Sequence, residues 1–516
     1  MPPLNQILAR MLGVNPLPMT WLRDTQRMRK LVGSFEMKHQ PKQGAIHFAV
    51  VVMPWCGTAV PWFSLAWGLL LASSGNKVTF ILDDMPFGEE GLSTRFQLGC
   101  IRSVLRLLRG RHDITTLSDC LSNAPLDHTT QQSIDRLAKL NAVWALRGEM
   151  TEAGRQRHIE RANRQLHASY GAIANAVHGG CYDAILVPGG VWGSSGVWVE
   201  HARAAGVRVA SYDSGGHGNL LLAVNGIACQ LQDIPRAFSL LKVDAVSREK
   251  QEFIIEAALA EIGRRRSGVD KFASQMQDTR VVDARFAGAV VVALNSSWDS
   301  AALGLHAVFQ NSTQWIVETA KYLLDNTSAP VVIRQHPVER LEIARSNDNY
   351  RDLLARHIGK NPRLHFIAAD EPVNSYDLLE QSAAVVVYTS TIGIEAAAHG
   401  KPVVTASHSY YSGLGFVRKA ANVEQYHQYL SDAVSGRHVV TPAMRDDALC
   451  CYYLTQCCNW VFTPFTVTDF AEWSNHDLQQ LNQCESVKAI IRALEQNIPV
   501  AYLNHLARLE HQSTRL

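Results

Sequence analysis

Three clusters of residues in this chain have types and spacing that can do chemistry. The first is Thr389-Ser390-Thr391-Ile392-Gly393-Ile394-Glu395, which follows the apolar run Ala384 to Tyr388 and opens a helix. A helix start presents free backbone N–H groups and a partial positive charge, which suits a phosphate. Hydroxyls of Thr389, Ser390 and Thr391 add donors there. Gly393 admits a ligand close to the backbone, and Glu395, one turn in, can accept from ribose hydroxyls. The same residues also read as a plain N-cap, since Ser and Thr are favoured at that position. The second cluster, Arg334-Gln335-His336-Pro337, ends a strand that begins at Pro330. Pro337 holds His336 extended, and a histidine there can donate to a phosphate and stabilise a leaving group. The alternative is a structural histidine. The third is Ser211-Tyr212-Asp213-Ser214-Gly215-Gly216-His217, a strand end running into a glycine-rich turn. Asp213 can act there as base or nucleophile, with His217 in reserve; an Asx cap of the turn is the competing reading.

Elements of a recurring kind must position these residues. Ile46 to Met53 is a short β-branched strand, Pro61 to Ser73 a helix, and Lys77 to Asp83 a second strand. That order is a βαβ unit, and its continuous apolar runs are those of a parallel sheet. The rhythm returns at the strand Cys181 to Pro188, the loop Gly189, Gly190, Gly193 and Gly196, the helix Val197 to Ala205, and the strand Val207 to Tyr212. A second series runs from the strand Ala287 to Leu294, through the loop Asn295 to Asp299, to Val403 to Ala406. The expected fold class is therefore α/β, with two nucleotide-binding-like halves. Residues 1–40 form an N-terminal helical extension, 41–284 a Rossmann-like domain with a helical linker, and 285–440 a second Rossmann-like domain. The rest, 441–516, is a helical tail that can cross back to the first domain. Gly57 and Thr58 in the first βα turn, with Gly189 and Gly190, are expected on the acceptor side. That first turn lacks GxGxxG, so no dinucleotide site is read there.

Composition narrows the classes further. With 516 residues and 47% apolar side chains, the chain holds two or three domains and is not disordered over most of its length. A formal charge of +2 gives no reason to expect nucleic-acid binding driven by phosphate neutralisation. Its 10 cysteines form no CxxC pair, and adjacent ones such as Cys450 and Cys451 diverge by about 100° on a helix, so no metal site is expected. Ala45 to Asn76 carries no charged residue and is long enough to span a bilayer. Pro54, Gly57 and Pro61 break it, so a soluble chain is expected, and unpaired cysteines without a signal-peptide pattern make the expected place the cytoplasm. Trp21-Leu22-Arg23 and Arg27 to Lys30 read either as a membrane-surface helix, peripheral to the cytoplasmic face, or as a solvated one.

One resemblance is specific. The run from Tyr376 to Val404 resembles the C-terminal domain of bacterial capsule-polysaccharide biosynthesis glycosyltransferases. Relatives of that family include the β-Kdo transferases of capsule and O-antigen assembly. Tyr410 to Phe416 is similar to the family's aromatic-glycine loop, Gln335-His336-Pro337 to its His-Pro motif, and Asn295 to Asp299 to its first loop. The likeness covers roughly residues 285–420. It implies a GT-B fold, two Rossmann-like domains facing across a cleft, and a metal-independent transfer without cofactor. A nucleotide-sugar is then the co-substrate, CMP-Kdo the first candidate, and a surface polysaccharide or lipid-linked glycan the acceptor. Donor binding would fall to His336, Ser390 and Glu395, with Arg334, Asn295, Asp299, Thr389, Thr391 and Gly393 beside them. Catalysis would fall to Asp213 and His336. Two alternatives stay open: a UDP-sugar 2-epimerase, and a non-catalytic GT-B module that binds glycan or scaffolds an assembly.

Overall fold

The β-branched runs pair into two separate sheets in a computed structural model of the chain. The structure describes residues 17–34, 41–55, 58–85, 92–121, 127–214, 219–244, 247–267, 284–342, 344–459, 461–462 and 476–513. It divides into two units. The first comprises Met1–Lys139, Ile159–Cys229 and Trp460–Leu503; the second comprises Leu140–His158, Gln230–Asn459 and Asn504–Leu516. The main part of the second unit thus runs from Gln230 rather than from near 285, the segment Leu140–His158 joins it, and the tail is shared between the two.

In the first unit the strands are β1 (His47–Val52), β2 (Lys77–Leu82), β3 (Asp113–Thr116), β4 (Ala184–Pro188), β5 (Arg208–Ser214) and β6 (Asn219–Ala223), with β13 (Val461–Phe462) added from the tail. Their order is β13-β6-β5-β4-β1-β2-β3. Strands β1 to β5 run parallel, Val50 lying opposite Phe80 of β2 and Leu186 of β4. β6 returns antiparallel, which the apolar pattern did not announce. Helix Val60–Ser73 has no charged residue in either terminal turn and is buried along almost its whole length. The uncharged stretch is therefore the centre of a sheet and the helix covering it. Among the described residues no helix is long and apolar enough to cross a membrane.

The second unit is built on β7 (Val290–Ala293), β8 (Val331–Arg334), β9 (Leu364–Ile367), β10 (Ala384–Val387), β11 (Val403–Thr405) and β12 (Arg418–Lys419). All six pair in parallel, in the order β12-β11-β10-β7-β8-β9. Alternate residues face opposite layers: Val290 and Val292 join one core cluster and Val291 another. The chain moves outward from β7 through β8 to β9, then restarts on the other side at β10. The topological switch point thus lies between β7 and β10, where open parallel sheets bind their ligands.

Residues expected as a helical linker of the first domain instead belong to the second unit. Helix Arg248–Arg266 ends there with Arg266 paired to Asp377 at 3.1 Å and to Glu380. Cys450, Cys451 and Cys458 are buried in helix Pro442–Tyr452 and the π-helical turn Tyr453–Cys458. Burial pushes the Cys450 thiol up to about 11, so these behave as small apolar side chains. Each unit is thus a Rossmann-like α/β sheet, and the chain is α/β with helical extensions.

Candidate functional site

The site of the second unit forms where β10, β7 and β8, three neighbouring strands, reach their carboxyl ends. Asn295 follows β7, and its Oδ1 accepts the Thr389 N–H at 3.1 Å, tying the loop after β7 to the loop after β10. His336 follows β8. Pro337 opens a short 3-10 turn, and the His336 backbone is extended at φ −61° and ψ 124°. Its Nδ1 accepts the Val338 N–H at 3.2 Å. Burial, reinforced by the Arg334 charge, pushes its pKa down to about 4, so the ring is neutral at pH 7. With Nδ1 accepting, the proton sits on Nε2, which makes that atom a donor.

Thr389 and Ser390 are buried, each 8% exposed, and Thr391 is half-buried. Thr391 is the N-cap of the seven-residue helix Ile392–Ala398, yet its side chain makes no capping bond. The capping alternative therefore does not account for that hydroxyl. The Ser390 carbonyl accepts from Tyr411 Oη at 2.6 Å. A Cβ on Gly393 would meet that same hydroxyl at 2.8 Å. Glycine is thus required by the tyrosine of the aromatic-glycine loop, rather than by a ligand's approach.

Three expected donor-site residues point elsewhere. Arg334 is 3% exposed, and its guanidinium donates to the carbonyls of Ala368 and Val373, holding the segment after β9. Burial pushes it down to about 10, still charged at pH 7. Glu395 is 4% exposed and turned into the helical layer, beside Arg265 and in a hydrogen bond with the Tyr376 hydroxyl. Asp299 is exposed and its Oδ1 accepts the Ala301 N–H at 3.0 Å, closing a turn.

A group that no sequence motif marked completes the edge. Segment Leu140–His158 belongs to the second unit. It brings Glu149 to the N-terminus of helix Ser312–Asn326. There Glu149 Oε2 accepts from Ser312 N at 2.8 Å, Ser312 Oγ at 2.5 Å and Thr313 N at 3.3 Å. Its Oε1 lies 3.6 Å from His306 Nε2, and His306 Nδ1 bonds the Tyr388 hydroxyl. Asp348 accepts from the Glu149 and Met150 N–H groups at 3.0 and 2.8 Å, and from Ser297 Oγ. Burial raises the Glu149 carboxyl, with the Ser312 donors opposing and the Asp348 charge adding to the rise. Burial alone lowers His306 to about 4. The cavity between Glu149, Asn295, Ser297, Tyr350 and Tyr388 holds about 10 Å³, room for about one water. Nothing in the local sequence Arg147 to Met150 singles out Glu149.

In the first unit Thr58 Oγ1 donates to the Trp55 carbonyl at 2.9 Å and accepts from Val60 N at 3.3 Å, so it starts the helix Val60–Ser73. Gly189 and Gly190 follow β4, and φ of +115° at Gly190 demands glycine. Asp213 lies within β5 rather than after it, one residue beyond the Pro188–Tyr212 pair. It is half-buried, with Oδ1 accepting the Ser214 N–H at 2.7 Å. Gly57 and His217 lie outside the described residues. Trp62, Trp67 and Trp198 are core residues, while Trp55 and Trp192 pair edge to face, half-buried, with centroids 5.4 Å apart.

Residues 249–449 match the family of capsule polysaccharide biosynthesis proteins. The matched segment contains β7 to β12 and every residue of the second-unit edge except Glu149. Among solved structures, the beta Kdo 2,4 transferase KpsC of Thermosulfurimonas dismutans is similar at 17% identity and a TM-score of 0.36, over 52% of this chain and 79% of that one. The S. aureus MnaA–UDP co-structure is similar at 11% identity and a TM-score of 0.28, over 88% and 96%. Acinetobacter baumannii MurG is similar at 10% identity and a TM-score of 0.26, over 87% and 99%. No curated protein matches the chain.

Proposed function

We propose that the protein is a glycosyltransferase of capsule polysaccharide biosynthesis. It moves a sugar from a nucleotide-sugar donor, with a CMP-Kdo type the first to test, to a bacterial surface polysaccharide or lipid-linked acceptor. The observation that carries this reading is an overlap. The family match covers the second sheet, and Asn295, His336 and Thr389 follow the ends of its three neighbouring strands.

Chemistry follows from what those residues present. Neutral His336 donates through Nε2–H to the phosphate of the leaving nucleotide, and the hydroxyls of Thr389, Ser390 and Thr391 supply further donors. Neutral donors of this kind stabilise charge as it develops, without a cation, so EDTA should leave turnover unchanged. Asp213 of the first unit is the carboxylate proposed as base or nucleophile, and Asp213→Asn should keep nucleotide binding while losing turnover.

A thermal-shift series with CMP, UDP, GDP and CDP tests the reading, because a ligand that binds only the native state raises the melting temperature. One nucleotide should raise it, and His336→Ala should remove that rise while leaving the unliganded midpoint near wild type. If no nucleotide shifts the protein, the glycosyltransferase reading is wrong. A shift that survives His336→Ala removes His336 from the site.

A further inference from the structure

The chain as a whole is close to neutral, with 49 basic and 47 acidic residues, but one face of the first unit is not. Helix Leu17–Gly33 packs along helix Leu92–Leu108, both seated on one core through Trp21, Met28 and Leu31 and through Leu98, Ile101 and Val104. Their exposed residues include Arg23, Arg29 and Lys30 on the first helix and Arg95, Arg102 and Arg106 on the second. At 100° per residue the three arginines of the second helix fall within about 40° of one another, forming a single stripe. Arg109 follows at its end, also exposed.

Among the described residues, carboxylates are few on this face. The sequence has no Asp or Glu from Gly91 to His112. Asp24, the one acid of the first helix, is buried and bonded to Arg27 at 3.0 Å. Arg102 bonds Asp84 at 2.9 Å. Among the described residues, Arg23, Arg29, Lys30, Arg95, Arg106 and Arg109 have no carboxylate within 4.0 Å. Apolar side chains stand among these cations: Leu22 is 50% exposed, Phe96 37% and Leu107 37%. Phe96 stacks on Trp21 with centroids 6.2 Å apart, joining the two helices at the surface.

The combination discriminates between partners. An acidic glycan would neutralise the arginines but gives Leu22, Phe96 and Leu107 nothing apolar to enter, and a nucleic acid offers Phe96 a base to stack on but nothing to the two leucines. An anionic bilayer receives both, with phosphates for the cations and the interfacial layer for the apolar groups. We propose that the face made by helices Leu17–Gly33 and Leu92–Leu108 docks the protein peripherally on an anionic membrane surface. The inference is independent of the glycosyltransferase reading. A membrane-surface helix was one reading of residues 1–40; the second helix, with half of the cations, joins it only in the fold.

Vesicle co-sedimentation of the full chain tests this, using phosphatidylcholine with and without phosphatidylglycerol at low and high salt. The protein should bind only the anionic vesicles, and less at high salt. The triple variant Arg29→Glu, Arg95→Glu, Arg106→Glu should bind at least about tenfold more weakly, since each cation near such a surface is worth about fivefold. Leu22→Ser should weaken binding without changing charge. Lys488→Glu with Arg492→Glu, exposed on helix Glu485–Gln496, should bind as wild type. Equal binding to neutral vesicles, an unaffected triple variant, or an equal loss in the Lys488/Arg492 control would overturn the proposal. So would capture by an acidic polysaccharide with no effect of Leu22→Ser. Should the triple variant melt early, Leu22→Ser and the salt dependence decide.

Discussion

Burial raises the Glu395 carboxyl to about 7, against the pull of Arg265 and Tyr376. The native state therefore keeps a proton that the unfolded chain releases near 4.5, and stability from this group falls as pH rises from about 4.5 to about 7. The shift corresponds to about 3 kcal/mol at most. Glu395→Gln should flatten that part of the stability–pH curve and raise the midpoint at pH 8 relative to wild type. An unchanged slope in calorimetry would refute the assignment. His336 is the opposite case, a ring kept neutral so that one nitrogen donates. Local sequence made His336 legible, because a proline after a strand end orients the residue before it. It left Glu395 ambiguous, since a residue one turn into a helix faces a ligand or the next layer depending on what packs there. Arg334 was open in the same way, and its guanidinium holds the loop after β9.

Helix Ser312–Asn326 begins with two caps: the Asn311 side chain accepts from Gln314 N, and Glu149 accepts from Ser312 and Thr313. A carboxylate suits this place because the first turn has unsatisfied N–H groups and the positive end of the helix dipole. Glu149→Ala should cost about 2 kcal/mol in urea unfolding, the upper range for loss of a cap. Glu149→Gln should cost less than half of that, because its amide oxygen still accepts. Equal losses in the two variants would contradict the capping role. Residues 149 and 312 are 163 positions apart, so no local signal could pair them. The strands and the helix from Pro61, by contrast, were readable from apolar runs and from Pro and Gly at their ends.

Four histidines, His201, His306, His336 and His438, are lowered to about 4, in each case chiefly by burial. Below 6.5 the unfolded chain binds protons that these native rings refuse, so their contribution to stability falls as pH drops from 6.5 to about 4. Glu395 and Asp83, both raised to about 7 by burial, work in the other direction over the same window. Four imidazoles against two carboxylates give a net loss, and the melting midpoint should decrease from pH 7 to pH 5. A flat or rising midpoint would show that these rings are protonated in the native state. By itself the sequence determined the α/β class and three strand ends, read at residues 294, 334 and 388 and found at 293, 334 and 387, with polar residues just after them. These are local facts, set by apolar runs and by the backbone limits of proline and glycine. Only the tertiary structure decided that those three ends are neighbours, that Glu149 joins them, and that Glu395 and Arg334 turn inward. Strand order and burial arise from pairings across the whole chain, and it is burial that sets which groups are neutral, which are bonded and which can meet a ligand.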